Sequence, residues 1–136
     1  MTYSFEMPGD PVPKGRPRHT AKGVTFTPER TRRAERDMAF VAKAAAPKGP
    51  LAGPLCVELT FACATRRRQD WDNLGKLVCD ACNGILWEDD SQIEDAHVVK
   101  RIGVGAALAK TSVRVEQIET TDALGIIESW EERGGR

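Results

Sequence analysis

The sequence predicts an α+β fold, a two-layer α/β domain in which one mixed sheet of about four strands packs against two main helices. Alternating apolar and polar residues, with many β-branched side chains, predict strands at 2–7, 55–62, 93–103 and 111–119. Apolar residues three and four positions apart predict two amphipathic helices, one after residue 27 and one over 71–83. Because helices and strands are interleaved along the chain, a single sheet that carries both helices is favoured.

The first helix is predicted to begin with Thr27 as its N-cap and Pro28 in the first helical position, where the missing N–H of proline is tolerated. The PKGP segment at 47–50 ends it. A Pro/Gly-rich basic loop at 8–23 and a short strand-like piece at 24–27 precede it. The apolar stripe of this helix consists of Ala34, Met38, Val41, Ala42 and Ala45.

The second helix is predicted to place Leu74, Leu77, Val78 and Ala81 on one face, which should dock on the sheet. Gly84 follows it in the C′ position that glycine favours. Residues 122–132 predict a further short helix. The chain is therefore expected to be one domain, 1–136, with a short C-terminal helical extension from about residue 121.

Composition is that of an ordinary soluble globular protein, with 40% hydrophobic and 29% charged residues. The longest apolar runs fall well short of the roughly 18 residues that a membrane span requires. The N-terminal residues MTYSFEMPGD lack the basic and apolar segments of a signal peptide. A cytoplasmic protein with no membrane association is expected.

Charge is segregated along the chain although the net charge is zero. Residues 1–68 contain 13 Lys and Arg against six acids, whereas residues 69–100 contain eight acids against two bases. Such segregation favours a positive surface beside an acidic pocket. The alternative is two solvated faces of opposite sign.

The four cysteines are expected to be reduced in the cytoplasm. Cys79 and Cys82 form a C-x-x-C pair, but it falls within a predicted helix and lacks the Gly/Pro-rich knuckle of a zinc ribbon. Cys56 and Cys63 lie seven positions apart on a strand pattern and should point to opposite faces or ends. We expect the cysteines to fill the core, and no zinc is expected.

The start of the second helix carries the candidate catalytic residues. A helical wheel places Asp72, Lys76 and Asp80 together, opposite the apolar face, with Asp70 at the mouth of the helix. Helix capping is an alternative explanation of Asp70 and Asp72, and an (i, i+4) ion pair with Asp72 is an alternative explanation of Lys76.

A second acidic cluster follows the same helix. Glu88, Asp89 and Asp90 precede a predicted strand, and capping of the helix cannot explain them. Carboxylate oxygens from two chain segments are the ligands that Mg²⁺ prefers, and a cation relieves the repulsion within such a cluster. The two acidic segments together predict a magnesium site.

Two basic segments accompany the acids. Proline-stiffened basic residues next to a carboxylate cluster favour phosphate binding over a merely solvated loop. The residues predicted to contact phosphate groups are Lys14, Arg16, Arg18, Lys22, Arg66, Arg67 and Arg68.

The run D-W-D-N-L-x-K-x-x-x-D-A-x-N-G-x-L-W-x-D-D-S-Q-I over 70–93 resembles the signature of RusA-type Holliday junction resolvases. The loop P-x-P-K-G-R-P-R at 11–18 and the T-P-E-x-T at 27–31 resemble those of phage and prophage members. The resemblance covers Tyr3 to Glu119. The family pattern is matched at Asp70, Asp72, Asn73, Lys76, Asp80, Ala81, Asp89, Asp90 and Gln92.

The resemblance implies a RusA-like homodimer that binds four-way DNA junctions and nicks two strands of like polarity symmetrically. It implies Mg²⁺, with Mn²⁺ as a substitute, held by Asp70, Asp72 and Asp90, and Lys76 as the essential basic residue. These four are the expected catalytic residues, and a phage-encoded member would act in the host cytoplasm. The alternatives are a nuclease for forks or flaps, a junction-binding module without catalysis, and a zinc-bound adaptor that uses the four cysteines.

Overall fold

The computed structural model describes residues 1–119. In chain order the elements are β1 (Thr2–Pro8), β2 (Arg18–His19), β3 (Thr25–Phe26), α1 (Glu29–Ala45), β4 (Leu55–Ala62), α2 (Trp71–Cys82), β5 (Ile93–Arg101) and β6 (Lys110–Gln117). A short 3-10 turn, Asp90–Gln92, leads into β5.

The main sheet has four strands in the order β1-β6-β4-β5. β6 is antiparallel to both of its neighbours, whereas β4 and β5 are parallel. The sheet is therefore mixed, and with the two helices it confirms the predicted α+β class. β2 and β3 pair with each other in a separate small hairpin, whose first strand the sequence did not predict.

One face of the main sheet is covered by the two helices. Side chains of β4 alternate, so that Leu55, Val57, Leu59 and Phe61 are buried. The apolar face of α2 packs on them, since its four predicted contact residues are all buried. Burying one such side chain contributes about 1.5–3 kcal/mol. The opposite face of the sheet is polar and exposed, as at Glu58 and Arg114.

The connection β4–α2–β5 fixes where the acidic segments lie. Because β4 and β5 are parallel, α2 returns antiparallel to them, from the carboxyl ends of the strands towards their amino ends. Two bonds place the mouth of α2 near the end of β5: Cys63 N–H donates to Arg101 O (2.7 Å), and Lys100 Nζ donates to Gln69 O (2.7 Å).

Helix α1 begins one residue later than predicted. Pro28, not Thr27, occupies the N-cap position, with an extended backbone (ψ 143°) and no side-chain capping bond. The prediction of Thr27 as the cap was wrong because the helical dihedrals start only after Pro28. At the end of α2 the prediction of a C′ glycine is confirmed, since Gly84 has a φ of 80°.

The predicted helix at 122–132, and with it the extension from about residue 121, lies outside the described residues. In the part of the chain that the structure describes, no helix is both long enough and apolar enough to cross a membrane.

Candidate active site and DNA-binding surface

The carboxylate of Asp70 is not used to cap α2. Asp70 occupies the N-cap position with an extended backbone, but its side chain accepts no capping hydrogen bond. Asp72, in the first turn, is exposed, and its Oδ1 accepts the N–H of the adjacent Asn73, at 2.9 Å. Capping therefore does not account for the Asp70 carboxylate.

Lys76 is exposed on the same side of α2 and forms no ion pair with Asp72 within 4.0 Å among residues 1–119. Asp80, one turn further along, pairs instead with Lys14 at 3.0 Å. The ion-pair explanation of Lys76 is thus not realised in the structure. Lys76 and Asp72 are both exposed and lie about one helical turn apart.

The two acids of the Asp89–Asp90 pair have different environments. Asp89 caps the 3-10 turn, with its Oδ2 accepting the Ser91 N–H at 3.0 Å. Hydrogen bonds from Ser91, first from its side chain and then from its backbone, hold the pKa of Asp89 below its ordinary value. Asp90 is exposed and begins the turn. The capping of the turn therefore accounts for the presence of Asp89. Asp90 has no such local role, and it remains the predicted metal ligand of the pair.

Gln92 anchors this acidic turn to the rest of the fold. Its Oε1 accepts the N–H groups of Glu88 and Asp89, at 2.9 and 3.1 Å. Its Nε2 donates to Leu51 O and Gly53 O, at 2.9 and 3.0 Å, in the segment before β4. A single amide thus uses both its donor and acceptor groups to hold the turn in place. Sequence reasoning matched Gln92 to the family pattern but assigned it no role.

Asp90 does not lie at the same end of α2 as Asp70 and Asp72. Asp90 comes just before β5, whose first residue Ile93 pairs with Leu55 at the start of β4, whereas Gln69 before α2 bonds Lys100 near the other end of β5. Among residues 1–119, the three predicted ligands do not form a group whose oxygens lie within 4.8 Å of one another. One chain alone does not bring the three together.

A cleft of about 520 Å³ opens at the mouth of α2. It is lined by Asp70, by Arg67 and Arg68 of the preceding loop, and by Arg30 of α1. Guanidinium groups bind phosphates well because two N–H groups in one plane can donate to two phosphate oxygens at once. Sequence reasoning missed Arg30, because only the packing of the first turn of α1 against this loop brings it to the cleft.

The basic loop that precedes α1 is docked between the helices rather than free. The N–H of Lys14 donates to Asn73 O at 2.9 Å, and its ammonium bonds both Glu35 of α1 and Asp80 of α2. Burial lowers the pKa of Lys14, but the hydrogen bonds and charges of the two carboxylates outweigh it, so the pKa lies above its ordinary value. Lys14 thus has a clear role in positioning the loop.

The other basic residues predicted to bind DNA are exposed. Arg16, Arg18 and Lys22 lie in the loop and the β2–β3 hairpin, and Arg66, Arg67 and Arg68 lie in the loop before α2. Pro13 of the first segment and Arg67 and Arg68 of the second line the cleft at Asp70. Their contact with DNA remains a prediction.

The C-x-x-C pair is part of the core side of α2. Burial raises the pKa of the Cys82 thiol to about 12, and Cys79 is shifted in the same direction. Both thiols are therefore protonated at neutral pH, which disfavours reactivity. Cys63 is buried, and Cys56 lies half-buried on β4.

The uncapped Asp70 carboxylate, in a cleft lined by arginines, is an arrangement that suits a protein of the nuclease class. The family model described as "Endodeoxyribonuclease RusA" matches residues 8–116, which is most of the chain. The chain belongs to the RusA endodeoxyribonuclease family. No curated protein matches it.

Proposed function

We propose that this protein is a Mg²⁺-dependent, structure-selective endonuclease that resolves Holliday junctions by paired symmetric nicks. Family membership supports a nuclease that acts on branched DNA. The observation that carries the proposal is the Asp70 carboxylate, which is released from helix capping and lines a cleft with Arg67 and Arg68. A phosphodiester can thus meet cationic and carboxylate groups at one place.

The residues present fit a magnesium ion. Asp70 and Asp72 offer hard oxygen ligands at the mouth of α2, and Asp90 offers a third, all of them exposed to solvent. Bound there, Mg²⁺ or Mn²⁺ would polarise the scissile phosphate and lower the pKa of the attacking water. Lys76 supplies positive charge on the same side of the helix, and it would stabilise the negative charge that develops on the phosphate in the transition state.

A homodimer accounts for the separation of Asp90 from the other two ligands. Each chain carries Asp70 and Asp72 at one end of α2, whereas Asp90 lies before the start of β5, at the other end. A two-fold axis that sets two copies antiparallel brings the Asp90 end of one copy to the Asp70 end of the other. Such a dimer has two equivalent sites, as paired symmetric nicks require, and its symmetry matches that of a four-way junction.

DNA binding is proposed to rest mainly on phosphate contacts. Arg30, Arg67 and Arg68 line the cleft, and Arg16, Arg18, Lys22 and Arg66 extend the positive surface around it. Phosphate contacts position DNA without reading its sequence. The protein would therefore recognise the shape of branched DNA rather than its sequence. It would act in the cytoplasm, or in the host cytoplasm if it is phage-encoded.

One substrate panel tests the proposal. Synthetic four-way junctions, flaps and linear duplexes are incubated with the protein in Mg²⁺ or in EDTA, and the cut positions are mapped. We expect paired cuts at symmetry-related positions of the four-way junction in Mg²⁺ only. Preferential cutting of flaps would indicate a different branched substrate, and binding without cutting would indicate an inactive junction-binding module.

A further inference from the structure

The exposed face of the main sheet, opposite the face on which α2 packs, carries a second group of possible metal ligands. The Cys56 sulfur, a carboxylate oxygen of Asp95 and a ring nitrogen of His97 all lie within 4.8 Å of one another. His97 Nε2 is 3.0 Å from Asp95 Oδ1. The group spans two strands, since Cys56 belongs to β4 and the other two residues belong to β5.

The strand register explains why these residues meet. A register shift between Leu55 and Cys56 pairs Leu55 with Ile93 but Cys56 with Asp95. From that point the parallel strands stay in step, so that Glu58 pairs with His97. Because alternate residues share a face, Cys56, Asp95 and His97 all project from the polar face of the sheet. Without the shift, Asp95 would not stand beside Cys56.

The surroundings of Cys56 are negative. Burial raises the pKa of its thiol, and the charges of Asp95, Glu58 and Glu116 raise it further. Glu116 lies opposite Cys56 on β6. Arg114 offsets part of this charge, at 3.4 Å from Glu116 and 3.9 Å from Glu58. Three carboxylates and one arginine leave a net attraction for a cation at the thiol.

We propose that Cys56, Asp95 and His97 form a binding site for Zn²⁺ or a similar borderline-soft divalent cation. One sulfur, one imidazole nitrogen and one carboxylate oxygen are ligands that Zn²⁺ accepts, and water completes a tetrahedral site. In such a site neighbouring ligand atoms are roughly 3–4 Å apart, given bonds of about 2.0–2.3 Å. Small rotations of side chains already within 4.8 Å therefore suffice. Binding transfers the thiol proton to solvent.

The ion would link β4 to β5, because its ligands come from both strands. Within the described sheet β5 is an edge strand whose one strand neighbour is β4. It also follows directly from the 3-10 turn that carries Asp90. A metal that joins the two strands would stabilise this edge and the turn before it. The site differs from the four-cysteine zinc site considered from the sequence, and it revises the expectation that no zinc is bound.

The test uses the reduced full-length chain and Co²⁺ as a spectroscopic substitute for Zn²⁺. We expect a thiolate-to-Co²⁺ charge-transfer band that saturates at one equivalent per chain and is abolished by Zn²⁺ but not by Mg²⁺. Cys56→Ala should remove the band, whereas the matched control Cys79→Ala should retain it. His97→Gln should weaken Co²⁺ binding by more than about 100-fold, because even outer-shell changes cost about 10- to 100-fold.

Thermal unfolding gives a second readout. Zn²⁺ should raise the Tm of the wild type and of Cys79→Ala by more than it raises that of His97→Gln. His97 is exposed, so this variant is expected to fold even if Cys56→Ala does not. Absence of a thiolate band in the folded wild type would overturn the proposal. So would a band that survives in His97→Gln at wild-type affinity, or one that is lost in Cys79→Ala.

Discussion

The ammonium of Lys14 lies 3.0 Å from Asp80 Oδ2 and also bonds Glu35, so that one side chain joins the basic loop to both helices. The sequence presented Lys14 as one more phosphate contact in a basic run. In the structure its charge is already compensated by two carboxylates. Lys14 is therefore expected to act on DNA binding mainly by positioning the loop.

Replacing Lys14 should affect stability more than replacing an exposed lysine of the same loop. Lys14→Met leaves Glu35 and Asp80 without their partner, and we expect a loss of about 1–2 kcal/mol in the free energy of unfolding. The control, Lys22→Met, should leave stability unchanged within about 0.5 kcal/mol. Urea unfolding measures both, and equal stability of the two variants would contradict the positioning role.

The same two variants separate positioning from phosphate contact. Each phosphate contact contributes about 0.9 to the slope of log binding constant against log salt. Lys22→Met should lower that slope by about one if Lys22 contacts a phosphate. A Lys14 variant that lowers the slope without losing stability would restore Lys14 to the set of direct contacts.

Two glycines are expected to respond oppositely to alanine. A Cβ at Gly75, inside α2, would meet Leu59 Cδ1 at 3.8 Å, an ordinary contact. Gly75→Ala should therefore stabilise the chain by about 1 kcal/mol through helix propensity, or roughly 4 °C in Tm. A Cβ at Gly15 would lie 2.6 Å from Thr31 Oγ1, which accepts the Gly15 N–H. Gly15→Ala should lower the free energy of unfolding by about 1–3 kcal/mol. Calorimetry measures both variants, and a destabilised Gly75→Ala or a stabilised Gly15→Ala would contradict the prediction.

Asp89 should make stability depend on pH on the acid side. Its pKa is lowered on folding, so its contribution is present above the unfolded value of 3.8 and is lost as the pH falls through the folded value. Asp89→Asn keeps a capping side chain but does not titrate. The stability difference between wild type and variant should therefore shrink from neutral pH to about pH 3. A difference that is constant with pH would show that Asp89 does not titrate with folding.

A mixture of two inactive variants tests whether the metal site is shared between copies. Asp72→Asn and Asp90→Asn should each be inactive as homodimers. A mixed dimer with shared sites has one site with both substitutions and one site with none, and it should nick a single strand of a junction. Cleavage assays after the variants are unfolded and refolded together measure this. Without any nicking by confirmed mixed dimers, the shared site would be rejected.

Much of the fold could be predicted because periodicity reports burial directly. Leu74, Leu77, Val78 and Ala81 face the sheet as the helical wheel predicts. The partners of individual polar groups could not be predicted, because they depend on which segments the fold brings together. Gln92, for example, bonds Leu51 and Gly53, some 40 residues away in sequence.

The candidate site shows the same division. Asp72 and Lys76 are exposed in the first turns of α2, as the helical wheel predicts, and Asp70 is exposed just before the helix. The position of Asp90 near the far end of α2 follows from the parallel pairing of β4 and β5, which local pattern does not encode. The sequence therefore identified the candidate ligands but could not show that one chain holds them apart.

The central claim is that the carboxylates at the mouth of α2 carry out metal-dependent cleavage rather than stabilise the helix. Asp72→Asn tests it most directly, because the substitution removes a charge and keeps the shape. Binding to a four-way junction and Mg²⁺-dependent cleavage are measured on the same preparation. The account predicts junction binding within about threefold of the wild type and no detectable cleavage, since ligand loss acts on catalysis and not on phosphate contacts. Mg²⁺-dependent nicking retained by a pure Asp72→Asn preparation would contradict it.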